Sequence, residues 1–395
     1  MEKSIRSTGD YWTKLLICAL ILLTTQVHCH FNPRINVTFL DNAVSTGAVC
    51  LDGSPAGYHY EKGYGTGADN WLVYLPGGAW CGSKGDCLAR TKTIGGTTVN
   101  VTTTWFGGIL SADSLVNPDL YNWHRTFIRY CDGASFMADV EAVDPETNLH
   151  LRGARIFRAV VDVLLAKGMK NAKNIILAGN SAGGLATILN CDRFRALVPN
   201  ASRVKCLSDS GFFIRAQNLP GVEKREKGFA DVVAFHDITK FLPKSCTSRM
   251  DPSLCMFPEY LVGDVQTPLF LLHSAFDQYQ IQYNLKPYPA IEQGWKECTS
   301  NTRLCTPAQI DFMKEFRTTF LQTLKAIPDC PSRGMFINSC YIHDFLFSRA
   351  RWNYQGPPSL GNKIIERVIG DWYFERCSAK AIDAETDHPL NCFDA

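Results

Sequence analysis

Residues 174–189 carry the pattern of a strand, a tight turn and a helix in immediate succession. The apolar run at 174–178 is typical of a buried parallel strand, and the Gly-Asn-Ser-Ala-Gly that follows at 179–183 fits Gly-x-Ser-x-Gly. A helix of small residues is predicted from Gly184 onward. Glycines let a strand and a helix pass close together, and a serine at such a turn is lifted clear of the sheet. The segment therefore makes Ser181 a candidate nucleophile.

The same alternation of strands and helices continues along the chain. Further strands are predicted at residues 71–75, 126–130, 204–207, 268–273 and 335–338. Further helices are predicted at residues 152–167, 307–326 and 359–374. This order predicts an α/β-hydrolase-like fold with a mostly parallel central sheet and helices on both faces. We expect residues 30–395 to form one domain, with one or two edge strands within 30–69 and disulfide-rich insertions near 82–120 and 212–262.

The amino terminus predicts secretion. Basic residues precede an apolar stretch at 15–23, and smallish side chains follow at Val27 and Cys29, as in a cleaved signal peptide spanning residues 1–29. A signal anchor is the alternative, but the stretch is shorter than the roughly 20 apolar residues of a membrane span. We therefore expect cleavage and no stable membrane insertion afterwards. The acceptor sites Asn36, Asn100 and Asn200 add an expectation of glycosylated surface loops.

Sixteen cysteines point to an oxidising compartment. They are scattered rather than grouped in metal-ligand spacings, so we expect disulfides and no metal site. Signal cleavage would remove Cys18 and Cys29 and leave an even number. The near neighbours that could close short loops are Cys81/Cys87, Cys191/Cys206, Cys246/Cys255 and Cys298/Cys305. The formal net charge of +2, without any basic run, gives no indication of nucleic-acid binding.

A serine nucleophile needs a histidine base that a carboxylate orients, and this fold class supplies them in the chain order Ser, acid, His. Four histidines follow the serine: His236, His273, His343 and His388. His273 lies inside the most apolar strand, where a core role is favoured, whereas His236 falls in a polar insertion and His388 in the tail. His343 remains, because it follows the last predicted strand at the sheet edge where substrates bind.

Two acids and one loop complete the candidate site. Asp277 follows the strand at 268–273, and Asp209 ends the strand before it. Spacing favours Asp277 only modestly, and either carboxylate would also serve as a loop cap. The amides of residues 77–79 and of Ala182 are candidate donors to the oxyanion, although a double glycine also forms an ordinary turn.

With these residues in view, the sequence resembles the plant pectin acetylesterase family, whose animal relative is the secreted Wnt deacylase Notum. The likeness rests on residues 75–81, 117–118, 121–123, 129–136, 181–186, 205–209 and 336–340 leading into His343. By position it implies a triad of Ser181, Asp277 and His343, and an oxyanion hole lined by Gly78, Ala79 and Ala182.

Three places depart from the plant pattern. Asn180 stands where plant members usually carry Cys, and Pro-Gly-Gly-Ala at 76–79 replaces Glu-Gly-Gly-Gly. Around the base, Tyr-Ile-His-Asp-Phe at 341–345 differs from the usual Phe-Ala-His-Cys. The methyl group of Ala79 restricts a loop whose amides must point correctly. The residues of the triad itself are all present.

We therefore expect a secreted, monomeric, cofactor-free carboxylesterase that removes acetyl groups from cell-wall pectin. Two alternatives stay open: a Notum-like deacylase of a lipid-modified protein or another acylated polysaccharide, and a wall-binding homologue with impaired catalysis. Because pectin is polyanionic, basic residues are expected near the site. The candidates are Lys84, Arg90, Lys92, Arg215, Arg349 and Arg351.

Overall fold

A computed structural model describes residues 34–284, 295–353, 360–361, 363–377 and 379–393. The predicted signal peptide at residues 1–29 lies outside them. The strands are β1 Arg34–Phe39, β2 Gly57–Glu61, β3 Asn70–Leu75, β4 Thr103–Trp105, β5 His124–Ile128, β6 Asn174–Asn180, β7 Arg203–Asp209, β8 Leu269–Ser274, β9 Gly334–Asn338 and β10 Lys380–Ile382. The α-helices are α1 Ala43–Thr46, α2 Lys84–Arg90, α3 Gly153–Ala166, α4 Ala182–Leu197, α5 Val222–Phe235, α6 Lys244–Thr247, α7 Trp295–Ser300, α8 Pro307–Ala326, α9 Arg349–Trp352 and α10 Ile365–Tyr373.

All of these strands form one sheet in the order β10-β9-β8-β7-β6-β3-β5-β2-β1-β4. The run from β10 to β5 is parallel, and β2, β1 and β4 add an antiparallel edge. The parallel strands are short apolar runs because side chains are buried on both faces. In β3, Trp71, Val73 and Leu75 join one core, while Leu72 and Tyr74 join the other. The predicted α/β class is thus confirmed.

Helices cover both faces of the sheet. The core of one face includes buried apolar residues of α3, α4, α5 and α8, and that of the other face includes α9 and α10. Helix α8 begins with a capping box, in which the Thr306 side chain accepts from the Gln309 amide and Gln309 bonds back to Thr306. Within the described residues, no helix is both long enough and apolar enough to cross a membrane.

Several predicted boundaries need correction. The strand predicted at 126–130 begins two residues earlier, because His124 and Arg125 are buried despite their polarity. His124 stacks on Trp71 with ring centroids 4.0 Å apart, and Arg125 pairs with Glu61 at 2.8 Å. Helix α4 starts at Ala182 rather than Gly184, and α10 starts at Ile365 within the predicted 359–374. The short strands β4 and β10 escaped prediction.

Disulfides tie the insertions and the tail to the sheet. All four near-neighbour pairs that could close short loops are bonded, although sequence spacing alone does not determine connectivity. Two longer connections, Cys50–Cys131 and Cys340–Cys392, join segments 81 and 52 residues apart. The second of these anchors the tail beside the loop that carries His343. Among the described residues, Cys330 and Cys377 remain free thiols.

Candidate active site

The order in which the chain adds parallel strands to the sheet reverses between β3 and β6, although the two strands are parallel neighbours. From β3 the chain continues to β5 on one side and then returns to β6 on the other. Ligands of open α/β sheets bind outside the carboxyl ends of the strands at such a switch point. There the loop after β3 packs against the turn after β6, since a Cβ atom added to Gly77 would lie 2.6 Å from the Ser181 Cβ.

Ser181 occupies a strained turn. It is the N-cap of α4 with φ 54° and ψ −124°, a conformation that L residues rarely adopt. A Cβ atom on Gly183 would clash with the Leu75 carbonyl, so the glycine that follows is sterically required. The Ser181 amide donates to the Asp209 carbonyl at 2.8 Å, which fixes the turn against β7. The residue thus sits at the amino end of α4, where the helix dipole favours negative charge.

His343 and Asp277 are directly hydrogen-bonded. The His343 Nδ1 lies 2.7 Å from the Asp277 Oδ2, and Asp277 is fully buried. A carboxylate only accepts, so Nδ1 carries the proton and the Nε2 lone pair faces away from Asp277. In the part of the chain that the structure describes, this Nε2 is buried and has no hydrogen-bond partner. Burial alone would lower the pKa of His343, but the carboxylates of Asp277, Asp344 and Asp209 hold it above its ordinary value.

Asp209 caps the loop that follows His343, which is the alternative role left open for it in the sequence. Its Oδ2 accepts the amide protons of Phe345 and Leu346 at 2.7 and 2.8 Å, and its Oδ1 accepts from the Ser210 hydroxyl at 3.1 Å. The carboxylate therefore anchors the loop that follows His343. Burial, together with the nearby Asp344 carboxylate, raises the pKa of Asp209. The geometry places Asp277, and not Asp209, on the imidazole.

The other histidines serve the core or the surface. His273 is buried in β8 and bonds the Ser274 carbonyl at 2.9 Å, which confirms the core assignment. His236, predicted to lie in a polar insertion, is instead fully buried. It follows the last residue of α5, and its Nε2 donates to the Cys81 carbonyl at 2.9 Å, which pairs one nitrogen of the buried ring. Burial lowers the pKa of His236 to about 4. The nearby Cys81 and Cys87 are bonded to each other, so their sulfurs are not thiolate ligands for a metal. His388 is exposed beside Asp387.

The loop after β3 has unusual backbone angles. Gly78 has φ +148° and Ala79 has φ +54°, and the second value costs a side-chain-bearing residue about 1 to 2 kcal/mol. The Tyr130 hydroxyl donates to the Ala79 carbonyl at 2.7 Å and accepts from the Ser135 amide at 3.0 Å. These bonds hold the loop in its strained shape.

Ser135 connects this loop to the helix behind Ser181. Its hydroxyl accepts from the Trp80 indole at 2.7 Å and donates to the Ala182 carbonyl at 2.8 Å. It therefore bonds both segments that carry the candidate oxyanion donors Gly78, Ala79 and Ala182. The sequence alone predicts no role for Tyr130 or Ser135, and their one signal is their place in the family motif at 129–136.

A cavity of about 270 Å³ opens beside the histidine. Its aromatic walls are Trp80, Phe213, Phe229, Phe257 and Tyr279. Tyr279 stacks on the His343 ring with centroids 5.1 Å apart, and Phe213 lies 6.3 Å from it. Charged residues of α2 and α5 also line the cavity: Asp86, Lys224, Arg225 and Asp231. The cavity is large enough for a group bigger than acetyl.

Of the six basic residues proposed for substrate binding, three pair closely with nearby carboxylates. Lys84 pairs with Asp144 at 2.6 Å, and Arg215 pairs with Glu226. Arg351 bonds the Asp344 carboxylate at 2.7 Å, directly behind the candidate base. Three others lie elsewhere: Arg90 over the Tyr130 ring, Arg349 at 3.7 Å from Asp113, and Lys92 exposed. Lys224, which is not among these candidates, is an exposed lysine that lines the cavity.

The fold and its similarities define an ester hydrolase of the α/β-hydrolase type. The sequence profile described as Pectinacetylesterase matches residues 30–393, and this chain belongs to that family. It is 43% identical to pectin acetylesterase 7 of Arabidopsis thaliana over 375 residues, which cover 94% of both chains. It is 41% identical to pectin acetylesterase 11 of the same plant, over 96% of this chain and 95% of that one.

More distant similarity extends to animals. The chain is 28% identical to the palmitoleoyl-protein carboxylesterase notum1a of Danio rerio, over 80% of this chain and 61% of that one. The solved structure of the Wnt deacylase Notum from Drosophila superimposes with a TM-score of 0.75 at 24% identity, covering 90% of this chain and 98% of that one. The structural likeness establishes a shared fold.

Proposed function

We propose that this protein is a secreted serine carboxylesterase that hydrolyses acetyl esters of cell-wall pectin. The family and its plant relatives support the reaction and the substrate class. The observation that carries the proposal is the buried His343–Asp277 pair at the same sheet edge as Ser181, with the second ring nitrogen of His343 unbonded within the described residues. Disulfides and exposed acceptor asparagines at 36, 100 and 200 support an extracellular location.

The chemistry proceeds in two half-reactions. The Ser181 hydroxyl attacks the acetyl carbonyl while the His343 Nε2 takes its proton, and Asp277 stabilises the imidazolium through Nδ1. His343 then gives that proton to the departing sugar oxygen, which leaves an acetyl-serine. A water molecule, deprotonated by the same nitrogen, attacks the acyl group; acetate is released as His343 returns the proton to the Ser181 oxygen. The proposed oxyanion donors are the amides of Gly78, Ala79 and Ala182.

No cofactor takes part in this scheme, and we propose that the enzyme acts as a monomer. The test is acetate release from acetylated pectin, with p-nitrophenyl acetate as a second substrate. We expect Ser181→Ala to lose at least about a thousandfold in kcat, since it removes the nucleophile. Ser45→Ala, which changes an exposed serine on α1, is the matched control and should retain wild-type kcat. Full activity in Ser181→Ala would refute the mechanism.

The aromatic cavity favours a second candidate, a deacylase for longer acyl esters. Each methylene buried in an apolar pocket contributes about 0.8 kcal/mol, or roughly fourfold in kcat/KM. A Notum-like enzyme should therefore prefer octanoyl to acetyl esters. The acetylesterase proposal predicts the reverse order, because the charged groups along the cavity suit a polar sugar better than an alkyl chain. Comparison of the two p-nitrophenyl esters decides between them.

A further inference from the structure

The side chain of Asn180 contacts three separate segments of the candidate site. It is the last residue of β6, directly before Ser181. Its Oδ1 accepts from the Tyr74 hydroxyl and from the Gly77 amide, both at 2.9 Å. Its Nδ2 donates to the Asp344 Oδ2 at 3.3 Å. One amide thus joins the nucleophile turn, the loop after β3 and the loop that carries His343.

Asp344 is itself held from the opposite side. It follows His343 directly and has φ +67°, so the chain turns sharply just after the imidazole. Its amide donates to the Ser210 hydroxyl at 2.9 Å. Arg351 donates to the Asp344 carboxylate at 2.7 Å and to the carbonyls of His343 and Asp344 at 3.1 and 3.2 Å. The carboxylate therefore has Asn180 on one side and a guanidinium on the other.

We propose that Asn180 and Asp344 are positioning residues, whose contact fixes the distance between the nucleophile turn and the histidine loop. The inference rests on the proposed roles of Ser181 and His343. Asn180 directly precedes Ser181, and Asp344 directly follows His343. A shift at their contact therefore moves both reacting groups. Misplacement of a reacting group by about 1 Å can cost roughly a hundredfold in rate.

The same contact places a carboxylate in the electrostatic surroundings of His343. The titratable and charged groups around the imidazole are Asp277 and Tyr279 from the loop after β8, His273 from β8, Asp209 from β7, and Asp344 and Arg351 on its carboxyl-terminal side. Among them, the Asp344 carboxylate contributes to the raised pKa of His343. Since the base must be neutral to act, loss of that charge shifts the acid limb of kcat/KM to lower pH.

The decisive variants exchange the donor and the acceptor. Asn180→Asp keeps an acceptor for Tyr74 and Gly77 but removes the donor and sets two carboxylates against each other. We expect kcat to fall at least about tenfold with KM nearly unchanged. The double variant Asn180→Asp/Asp344→Asn restores a donor at position 344, and we expect kcat to recover to within about threefold of wild type. Such reciprocal recovery requires a direct contact.

A matched control lies at the other end of the same strands. Asn174 begins β6 and donates to the Asn70 side chain at 2.8 Å, so it also links β6 to β3. Asn174→Asp makes the same chemical change far from the histidine loop and should leave kcat unchanged. Wild-type kcat in Asn180→Asp, or no recovery in a double variant that unfolds at the wild-type temperature, would overturn the proposal.

Two further measurements keep the outcome decisive. If Asn180→Asp does not fold, Asp344→Asn alone is the test, because it preserves size and replaces one of the two carboxylate oxygens that accept from Asn180 and Arg351. Its kcat should fall at least about tenfold and its acid limb should move to lower pH; wild-type kcat would contradict the inference. Ser181→Ala is assayed in parallel: retained activity there refutes the proposed mechanism, whereas lost activity there with an unaffected Asn180→Asp refutes only the positioning role.

Discussion

Removal of the Ser135 hydroxyl should loosen the oxyanion segments and lower the turnover number. The hydroxyl accepts from Trp80 and donates to the Ala182 carbonyl, and Ser135 is fully buried. Ser135→Ala leaves both partners without their bond. An unsatisfied buried group costs about 1 to 3 kcal/mol. Because Trp80 is only half-buried, we assign its unpaired indole about 1 kcal/mol, the lower end of that range, and the buried Ala182 carbonyl about 2 kcal/mol. Ser135→Ala should therefore lower the free energy of unfolding by about 3 kcal/mol.

That free energy converts to a measurable shift. With an unfolding entropy of about 2.1 cal/mol/K per residue over roughly 360 residues, about 3 kcal/mol lowers Tm by about 4 °C. Loss of one oxyanion donor slows acyl transfer by roughly a hundredfold or more, so partial misalignment should lower kcat by about tenfold. The assays are thermal unfolding at a fixed scan rate and hydrolysis of p-nitrophenyl acetate. KM should change little, because the loss falls on the transition state.

Ser208→Ala separates stability from function. Ser208 is buried in β7, and its hydroxyl donates to the Gly184 carbonyl at 3.0 Å; among the described residues, no side-chain hydrogen bond joins it to the loop after β3. We expect a Tm loss of about 1 to 2 °C and an unchanged kcat. If Ser135→Ala lost stability but kept its turnover number, the expectation that the Ser135 hydroxyl aligns the oxyanion segments would be wrong.

Four further outcomes follow from the geometry. Ala79→Gly relieves a φ of +54° and should raise Tm by about 1 °C in a thermal scan; a lower Tm would contradict the strain argument. Asp277→Asn removes the carboxylate that fixes the His343 tautomer and should lower kcat by roughly 10⁴, measured with p-nitrophenyl acetate; a loss below tenfold would return Asp209 to consideration. Since neighbouring carboxylates raise the pKa of His343, the acid limb of kcat/KM should lie above the pKa of a free imidazole, and a pH profile with its limb below that value would contradict this. Lys224→Gln should raise KM for acetylated pectin by about threefold while sparing the small ester, and equal effects on both would exclude a role in polymer binding.

The central strands could be predicted because a strand that is buried on both faces has an uninterrupted run of apolar residues. Strand β3 is apolar from Trp71 to Leu75, and β6 is apolar from Ile175 to Ala178. The start of β5 was missed for the opposite reason. His124 and Arg125 are polar, and only their contacts with Trp71 and Glu61 show how they can be buried. Those partners lie more than fifty residues away in sequence.

The residues of the candidate site likewise include some that the local sequence predicts and some that it does not. A local pattern indicated Ser181, since strand, turn and helix are neighbours in sequence. Spacing could not separate Asp277 from Asp209, because both follow parallel strands and arrive at the same edge. The bonding of each carboxylate distinguishes them, one to an imidazole and one to the amides of Phe345 and Leu346. No role for Ser135 or Asn180 could be predicted, because the hydrogen bonds that suggest one join each of them to residues distant in sequence.

Covalent labelling with a fluorophosphonate tests the central claim most directly. The probe reacts with a serine only when a neighbouring base activates it, and peptide mapping by mass spectrometry locates the adduct. We predict a single adduct on Ser181 that is lost in His343→Ala and strongly slowed in Asp277→Asn. An adduct on any other residue, or labelling of Ser181 at the wild-type rate without His343, would contradict the account.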